Sequence, residues 1–212
     1  MINFLNCKID LSRKVFEPRI ETEFWVSKAI KEIQRIIKNE QRAIEALDIF
    51  AGTGCIGISF LKACPELCRR VDFIDISKNS IWQIKINLKL NKISKGKYWI
   101  YKSNLFEKIK SRKYDIIFAD PPYVALTRIN EVQKEVLQKE PSAALFAGKD
   151  GMFWIEKFLR EAKNHLNRKG IIYMEFDPFQ KDKIEKILKK EKFKFQFQKD
   201  QFKKYRWLKA SP

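Results

Sequence analysis

The stretch YDIIFADPPYVAL, Tyr114 to Leu126, places Asp120, Pro121, Pro122 and Tyr123 where an apolar run breaks off. The two prolines fix φ at consecutive positions and carry no backbone N–H, so the corner presents acceptors without competing donors. A side-chain oxygen of Asp120 and the backbone carbonyl of Pro121 are the two acceptors, and Tyr123 adds a flat face for a planar amide or base. Together they suit an NH2 group gripped through both of its N–H bonds. The structural alternative is a proline-terminated strand with a turn and a partly buried tyrosine.

A second chemical signal lies upstream in LDIFAGTGCIGI, where Gly52 and Gly54 separate an apolar run from a helical one. Glycines at such a turn let the main chain approach a ligand, and the helix start supplies free N–H groups. Steric need alone also explains glycine at a tight turn. Asp75 ends the next strand-like run, VDFIDIS, 21 residues beyond Gly54. In doubly wound sheets an acid there accepts hydrogen bonds from both ribose hydroxyls of a nucleoside cofactor, although Asp75 could instead cap a helix starting near Ser77. The turn lacks the GxGxxG of dinucleotide sites and any P-loop lysine. With Asp48 before it and Asp75 after it, it suits a cofactor with a cationic end, and S-adenosylmethionine carries a sulfonium and an ammonium.

These residues need elements to position them. Helical stretches ETEFWVSKAIKEIQRIIKN, GCIGISFLKAC, SIWQIKINLKLN, MFWIEKFLREAKNHL and KDKIEKILKK alternate with strand-like runs AIEALDIF, VDFIDI, KYWIYK, YDIIFA, GIIYMEF and KFKFQFQ. The alternation predicts an α/β fold, a mostly parallel sheet with helices on both faces. NFLNCKIDLSRKVF reads as a short hairpin or arm, and YRWLKA as a last strand antiparallel to KFKFQFQ. We therefore expect an arm over residues 1–20 and one catalytic domain over 21–212. His165 falls at a solvated or C-terminal helix position, and Glu175 at a strand's carboxyl end, with no role assigned. Residues 120–151 form the longest stretch without a clear element, and loops of that size are more often functional than idle.

Of the 212 residues, 44 are Lys or Arg and 26 are Asp or Glu, a net charge of +18. From Lys78 to Lys113 eleven basic residues face one acid, Glu107. This balance favours an acidic partner such as nucleic acid or the ribosome, or else a broadly solvated lysine surface. Four cysteines, Cys7, Cys55, Cys64 and Cys68, with one histidine and no CxxC pair, argue against a structural zinc and read as reduced thiols of a cytoplasmic protein. No run is long enough for a membrane span, and the N-terminus has no apolar signal-peptide core.

The motifs together resemble class I S-adenosylmethionine-dependent methyltransferases of a Rossmann-like fold, within them the HemK-type methyltransferases that modify a glutamine N5. EPRIETE, Glu17 to Glu23, resembles the family's Pro-Arg-Pro-Glu-Thr-Glu, with Ile20 for the second proline. DIFAGTG resembles its Asp-x-Gly-Thr-Gly-Thr-Gly turn, with Phe50 and Ala51 departing. SNLFE at Ser103 resembles Ser-Asp-Leu-Phe, with Asn104 for the acid, and EPSAAL with GKDGM, Glu140 to Met152, resembles a further pair of family motifs. The tail KDQFKKYRWLKA resembles the family's final strand. The tetrapeptide begins with Asp120 where the family usually has Asn.

The resemblance implies a seven-stranded sheet with a C-terminal antiparallel strand. It assigns cofactor contacts to Asp48, Phe50, Ala51, Gly52, Thr53, Gly54, Asp75, Asn104 and Leu105, the last two at the adenine. Glu21 and Glu23 either cap the first helix or border the methionine end of the cofactor. Asp120, Pro121, Pro122 and Tyr123 are the catalytic set, and no metal is implied. The implied substrate is the glutamine of the Gly-Gly-Gln motif of a peptide chain release factor. Bacterial members carry a small helical docking domain, and this chain begins about where it would end. The alternatives are an RNA or DNA amino-methyltransferase, favoured by the charge, and a non-enzymatic cofactor-binding platform.

Overall fold

In the computed structural model, which describes residues 1–40, 42–131 and 145–212, the apolar run before the corner is a strand buried along its whole length. This strand, β6 (Tyr114–Ala119), is flanked on both sides by parallel strands, β3 (Ile44–Ile49) and β7 (Leu166–Glu175). Burial on both faces explains why its sequence shows no alternation.

The chain opens with a hairpin of β1 (Ile2–Phe4) and β2 (Cys7–Ile9), followed by the helix α1 (Ile20–Glu40). After β3 come α2 (Cys55–Ala63), β4 (Cys68–Asp75), α3 (Lys78–Leu90) and β5 (Tyr98–Lys102). Beyond β6 lie α4 (Phe153–Ala162), β7, α5 (Lys181–Lys190), β8 (Lys194–Lys199) and β9 (Tyr205–Ser211). The main sheet has seven strands in the order β5-β4-β3-β6-β7-β9-β8, with β9 antiparallel to both its neighbours. The α/β class, the seven-stranded sheet and the antiparallel last strand are those expected from the sequence.

Each face of the sheet buries its own apolar cluster. Trp25, Phe60, Phe73 and Phe118 belong to the one beneath α1, α2, α3 and the hairpin, and Leu47, Phe106, Phe158 and Met174 to the one beneath α4 and α5. Each fully buried large side chain contributes about 1.5–3 kcal/mol of transfer free energy. The inner face of α3 is polar where it meets the arm. Asn87 Oδ1 accepts from Asp10 N and its Nδ2 donates to the Thr53 carbonyl, while Gln83 Oε1 accepts from Arg13 N. Two amide side chains thus tie the arm to α3, and one of them reaches the glycine turn.

His165 differs from its expected place. It is buried, stacks on Phe106 with ring centroids 4.1 Å apart, and its Nδ1 lies 2.9 Å from the Arg112 carbonyl. The helix expected to run on through His165 stops at Ala162, and a short turn over Lys163–His165 places the imidazole inward. All four cysteines are free and buried. Among the described residues, no helix is long and apolar enough to cross a membrane, and no cluster of His, Cys, Asp and Glu could hold a metal.

Candidate active site

Chain order reverses between β3 and β6, because β4 and β5 lie to one side of β3 and β6 to the other. Ligand crevices of open parallel sheets form outside the carboxyl ends of the strands at such a reversal. The register pairs Ile49 with Ala119, so the glycine turn and the proline corner leave adjacent strand ends side by side.

The turn doubles back through left-handed positions at Phe50 (φ 61°), Gly52 (φ 53°) and Gly54 (φ 79°), and α2 starts immediately after it. Asp75 braces this path. Its Oδ2 accepts from Gly52 N at 2.9 Å and its Oδ1 from Ser77 N at 2.8 Å, while Ser77 itself caps α3. Burial pushes the Asp75 carboxyl above its ordinary range, against the pull of those two amides.

Asp48 faces inward behind the turn. It is 1% exposed, its Oδ2 accepts from Gly57 N at 2.9 Å, and its Oδ1 has no partner. Burial raises its pKa to about 8, with the charge of Asp75 adding to the shift.

At the corner, Gln180 Nε2 donates to the carbonyls of Tyr123 (3.0 Å) and Gly151 (2.8 Å). That clamp presses the GKDG turn against the tetrapeptide. Gly151 has φ 75°, and a Cβ there would lie 2.2 Å from the Tyr123 carbonyl oxygen. The Tyr123 hydroxyl donates to Glu175 Oε1 at 3.2 Å, and Glu175 Oε2 accepts from Thr22 Oγ1 (2.8 Å) and Trp25 Nε1 (2.6 Å). Thus the EPRIETE stretch reaches the corner through Thr22. Glu23 turns away, its Oε1 accepting from Leu5 N in the arm.

A cavity of ≈ 510 Å³ joins the two halves of the site. Of the residues expected from the sequence, Phe50, Ala51, Gly52, Thr53, Asp75, Asn104 and Leu105 line it, as do Asp120, Pro121, Pro122 and Tyr123. Asp48 and Gly54 lie behind the lining. Asn104 spends its Nδ2 on Glu107 (2.7 Å), and Leu105 is buried at φ 47°. The motif residues Glu140 to Ala144 lie outside the described residues. Three site residues had no role assigned from the sequence: Glu175 stood at a strand end, Thr22 was legible only as part of EPRIETE, and Gln180 had no signal at all.

The acids Glu21, Asp75, Asp120 and Glu175 line the cavity together with Arg19 and Arg206. Burial, then the charge of Glu175 and that of Asp48, push the Asp120 carboxyl well above its ordinary range, while Arg19 and Arg206 pull it back. Among the described residues no donor reaches Asp120, whereas Glu175 has three. The donor set suits S-adenosylmethionine. Asp75 would offer its carboxylate to a ribose, Leu105 and Ile76 would offer apolar surface to a base, and the acids would favour a cationic end.

A sequence profile described as "Methyltransferase small domain" matches residues 31–155. The release factor glutamine methyltransferase of Thermodesulfovibrio yellowstonii is 32% identical over 184 residues, which is 87% of this chain and 63% of that protein. The release factor glutamine methyltransferase of Lactococcus lactis is 32% identical over 190 residues, 90% of this chain and 66% of its own length. The chain therefore spans just under two thirds of each. Among solved structures, a T. thermophilus 16S rRNA N2 methyltransferase in complex with AdoMet and guanosine aligns with TM-score 0.65 at 19% identity. It covers 93% of this chain and 45% of its own, a likeness of fold. The chain belongs to the methyltransferase small domain family, class I methyltransferases whose methyl donor is S-adenosylmethionine.

Proposed function

We propose that the protein methylates the side-chain amide nitrogen of the Gly-Gly-Gln glutamine of a peptide chain release factor, in the cytoplasm. The observation that carries this reading is the 32% identity to release factor glutamine methyltransferases over 87–90% of the chain. The corner chemistry agrees with it. Residues 21–212 form the catalytic unit in this reading, and residues 1–20 form an arm docked on α3.

S-adenosylmethionine, when bound, supplies an electrophilic methyl group on a sulfonium. Asp75 holds the ribose and Leu105 covers the base. An amide nitrogen is a poor nucleophile because its lone pair is delocalised, so orientation must supply much of the rate. Asp120 and the Pro121 carbonyl accept the two N–H bonds, which fixes the nitrogen and enriches its lone pair. Tyr123, pinned by Glu175 and by the clamp on its carbonyl, supplies the flat wall beside the amide.

Incubating the protein with labelled cofactor, a purified release factor and ribosomal RNA tests the proposal. Label is expected on the release factor and absent when the glutamine is replaced by alanine. Label in RNA alone would establish the second reading, an RNA amino-methyltransferase, which the basic Lys78–Lys113 segment and the exposed Trp82 and Trp99 within it favour.

A further inference from the structure

The carboxyls of Asp120 and Glu175 share one cavity, and the fold treats them differently. Glu175, at the end of β7, is 1% exposed and receives the hydroxyls of Thr22 and Tyr123 and the indole N–H of Trp25. The indole N–H can only donate and the two hydroxyls are placed to donate, so these three bonds favour the ionised form against the burial that otherwise pushes the Glu175 carboxyl up. Asp120, at the end of β6, receives no donor among the described residues. Two close acids in a low-dielectric cavity ionise one after the other, and the unsupported one keeps its proton.

We infer that Asp120 holds a proton in the cofactor-free protein, releases it when the cationic cofactor enters the cavity, and regains one from the substrate nitrogen during transfer. The inference rests on the reading of the cavity as the S-adenosylmethionine site.

Among the described residues, each charged neighbour of Asp120 bears on the balance. Glu175 on β7 and Asp48 on β3 disfavour its charge, as do the other lining acids, Glu21 on α1 and Asp75 on β4, whereas the phenol of Tyr123, itself pushed well above its ordinary range, stays neutral. Arg19 ahead of α1 and Arg206 on β9 favour it without overcoming burial. A sulfonium placed in the same cavity adds the positive charge that tips Asp120 to a carboxylate.

The transfer step then closes the cycle. As the nitrogen–carbon bond forms, the sulfur–carbon bond breaks and its electron pair stays on sulfur, which becomes neutral. The nitrogen sheds one N–H proton to the Asp120 carboxylate. Atoms and charge balance: one sulfonium charge and one carboxylate charge vanish together, so the cavity never holds an extra charge of either sign. The returned proton leaves for solvent when the next cofactor binds. An asparagine at this corner has no proton to cycle, so this behaviour belongs to the Asp120 form of the tetrapeptide.

Calorimetric titration of the wild-type chain with S-adenosylmethionine and, separately, S-adenosylhomocysteine tests this, in two buffers of different ionisation heat between pH 6 and 9. The expected result is release of up to one proton with the sulfonium compound and none with the thioether. Below the pKa of Asp120 the affinity ratio of the two ligands should accordingly grow by about tenfold per pH unit. Asp120→Asn should still bind the thioether, which shows that the cavity is formed, and should lose the difference in proton release. Glu175→Gln should move the release to lower pH, because Asp120 then loses its charged neighbour. Equal proton release by both ligands, or a difference that persists in Asp120→Asn and so belongs to another group, Asp48 or the cofactor's own ammonium, would overturn the inference. If neither ligand binds the wild-type chain, the cofactor reading itself falls and takes the inference with it.

Discussion

Asp48 and Asp75 flank one glycine turn, yet their surroundings give them different tasks. Asp75 lines the cavity with both oxygens on backbone amides, while Asp48 sits behind the turn with one oxygen unpartnered. The Asp48 pKa of about 8 has a direct consequence for stability. Between its ordinary value near 4 and about 8, the folded chain holds a proton that the unfolded chain has lost, so rising pH favours unfolding. This contribution is intact below about pH 4 and lost as pH climbs through about 8, by roughly 1.4 kcal/mol per unit. Asp48→Asn keeps an acceptor for Gly57 N without the titration. It should therefore gain stability relative to wild type between pH 5 and pH 9, measured by urea unfolding at both. A difference that does not change with pH would mean that Asp48 is ionised throughout.

At the scale of elements, the corner depends on a turn that is distant in sequence. Gly148 and Gly151 both have left-handed φ, of 80° and 75°. A Cβ at Gly148 meets Phe153 Cβ at an ordinary 3.5 Å, whereas one at Gly151 meets the Tyr123 carbonyl at 2.2 Å. Alanine at Gly148 should cost about 1–2 kcal/mol from backbone conformation alone. Alanine at Gly151 should cost more, because the tetrapeptide must move, and it should depress turnover sharply as well. Paired urea unfolding and turnover assays on the two variants separate these effects, and equal losses in both would remove the contact between the turn and the corner from the argument. From the sequence, GKDG was legible only as a motif. Its partner, Gln180, is 29 residues beyond Gly151, a separation at which no local pattern signals contact.

For the whole molecule, charge is the dominant quantity. A chain with net charge +18 should bind a generic single-stranded RNA at low salt by releasing condensed counterions. The segment from Lys78 to Lys113 runs through α3 and the edge strand β5, and its exposed Trp82 and Trp99 offer surfaces on which bases can stack. Fluorescence titrations at 50 and 300 mM salt should show affinity falling by orders of magnitude, and Trp82→Ala should weaken what remains at the higher salt. Binding indifferent to salt would mean that these lysines are merely solvated.

The sequence by itself determined the alternation of strands and helices, the glycine turn, the proline corner and the acid at Asp75. Each of these is written in a few neighbouring residues, where backbone sterics and periodicity act. It also carried the methyltransferase resemblance, since EPRIETE and the tetrapeptide are contiguous strings. Only the tertiary structure decided that Asp48 lies behind the turn, that His165 is buried against Phe106, and that Glu175 gathers Thr22, Trp25 and Tyr123. Those outcomes depend on which strands lie side by side and what covers each face. Burial and long-range donors, properties of the packed sheet, set both the upward shift of the Asp120 carboxyl and the grip on Tyr123.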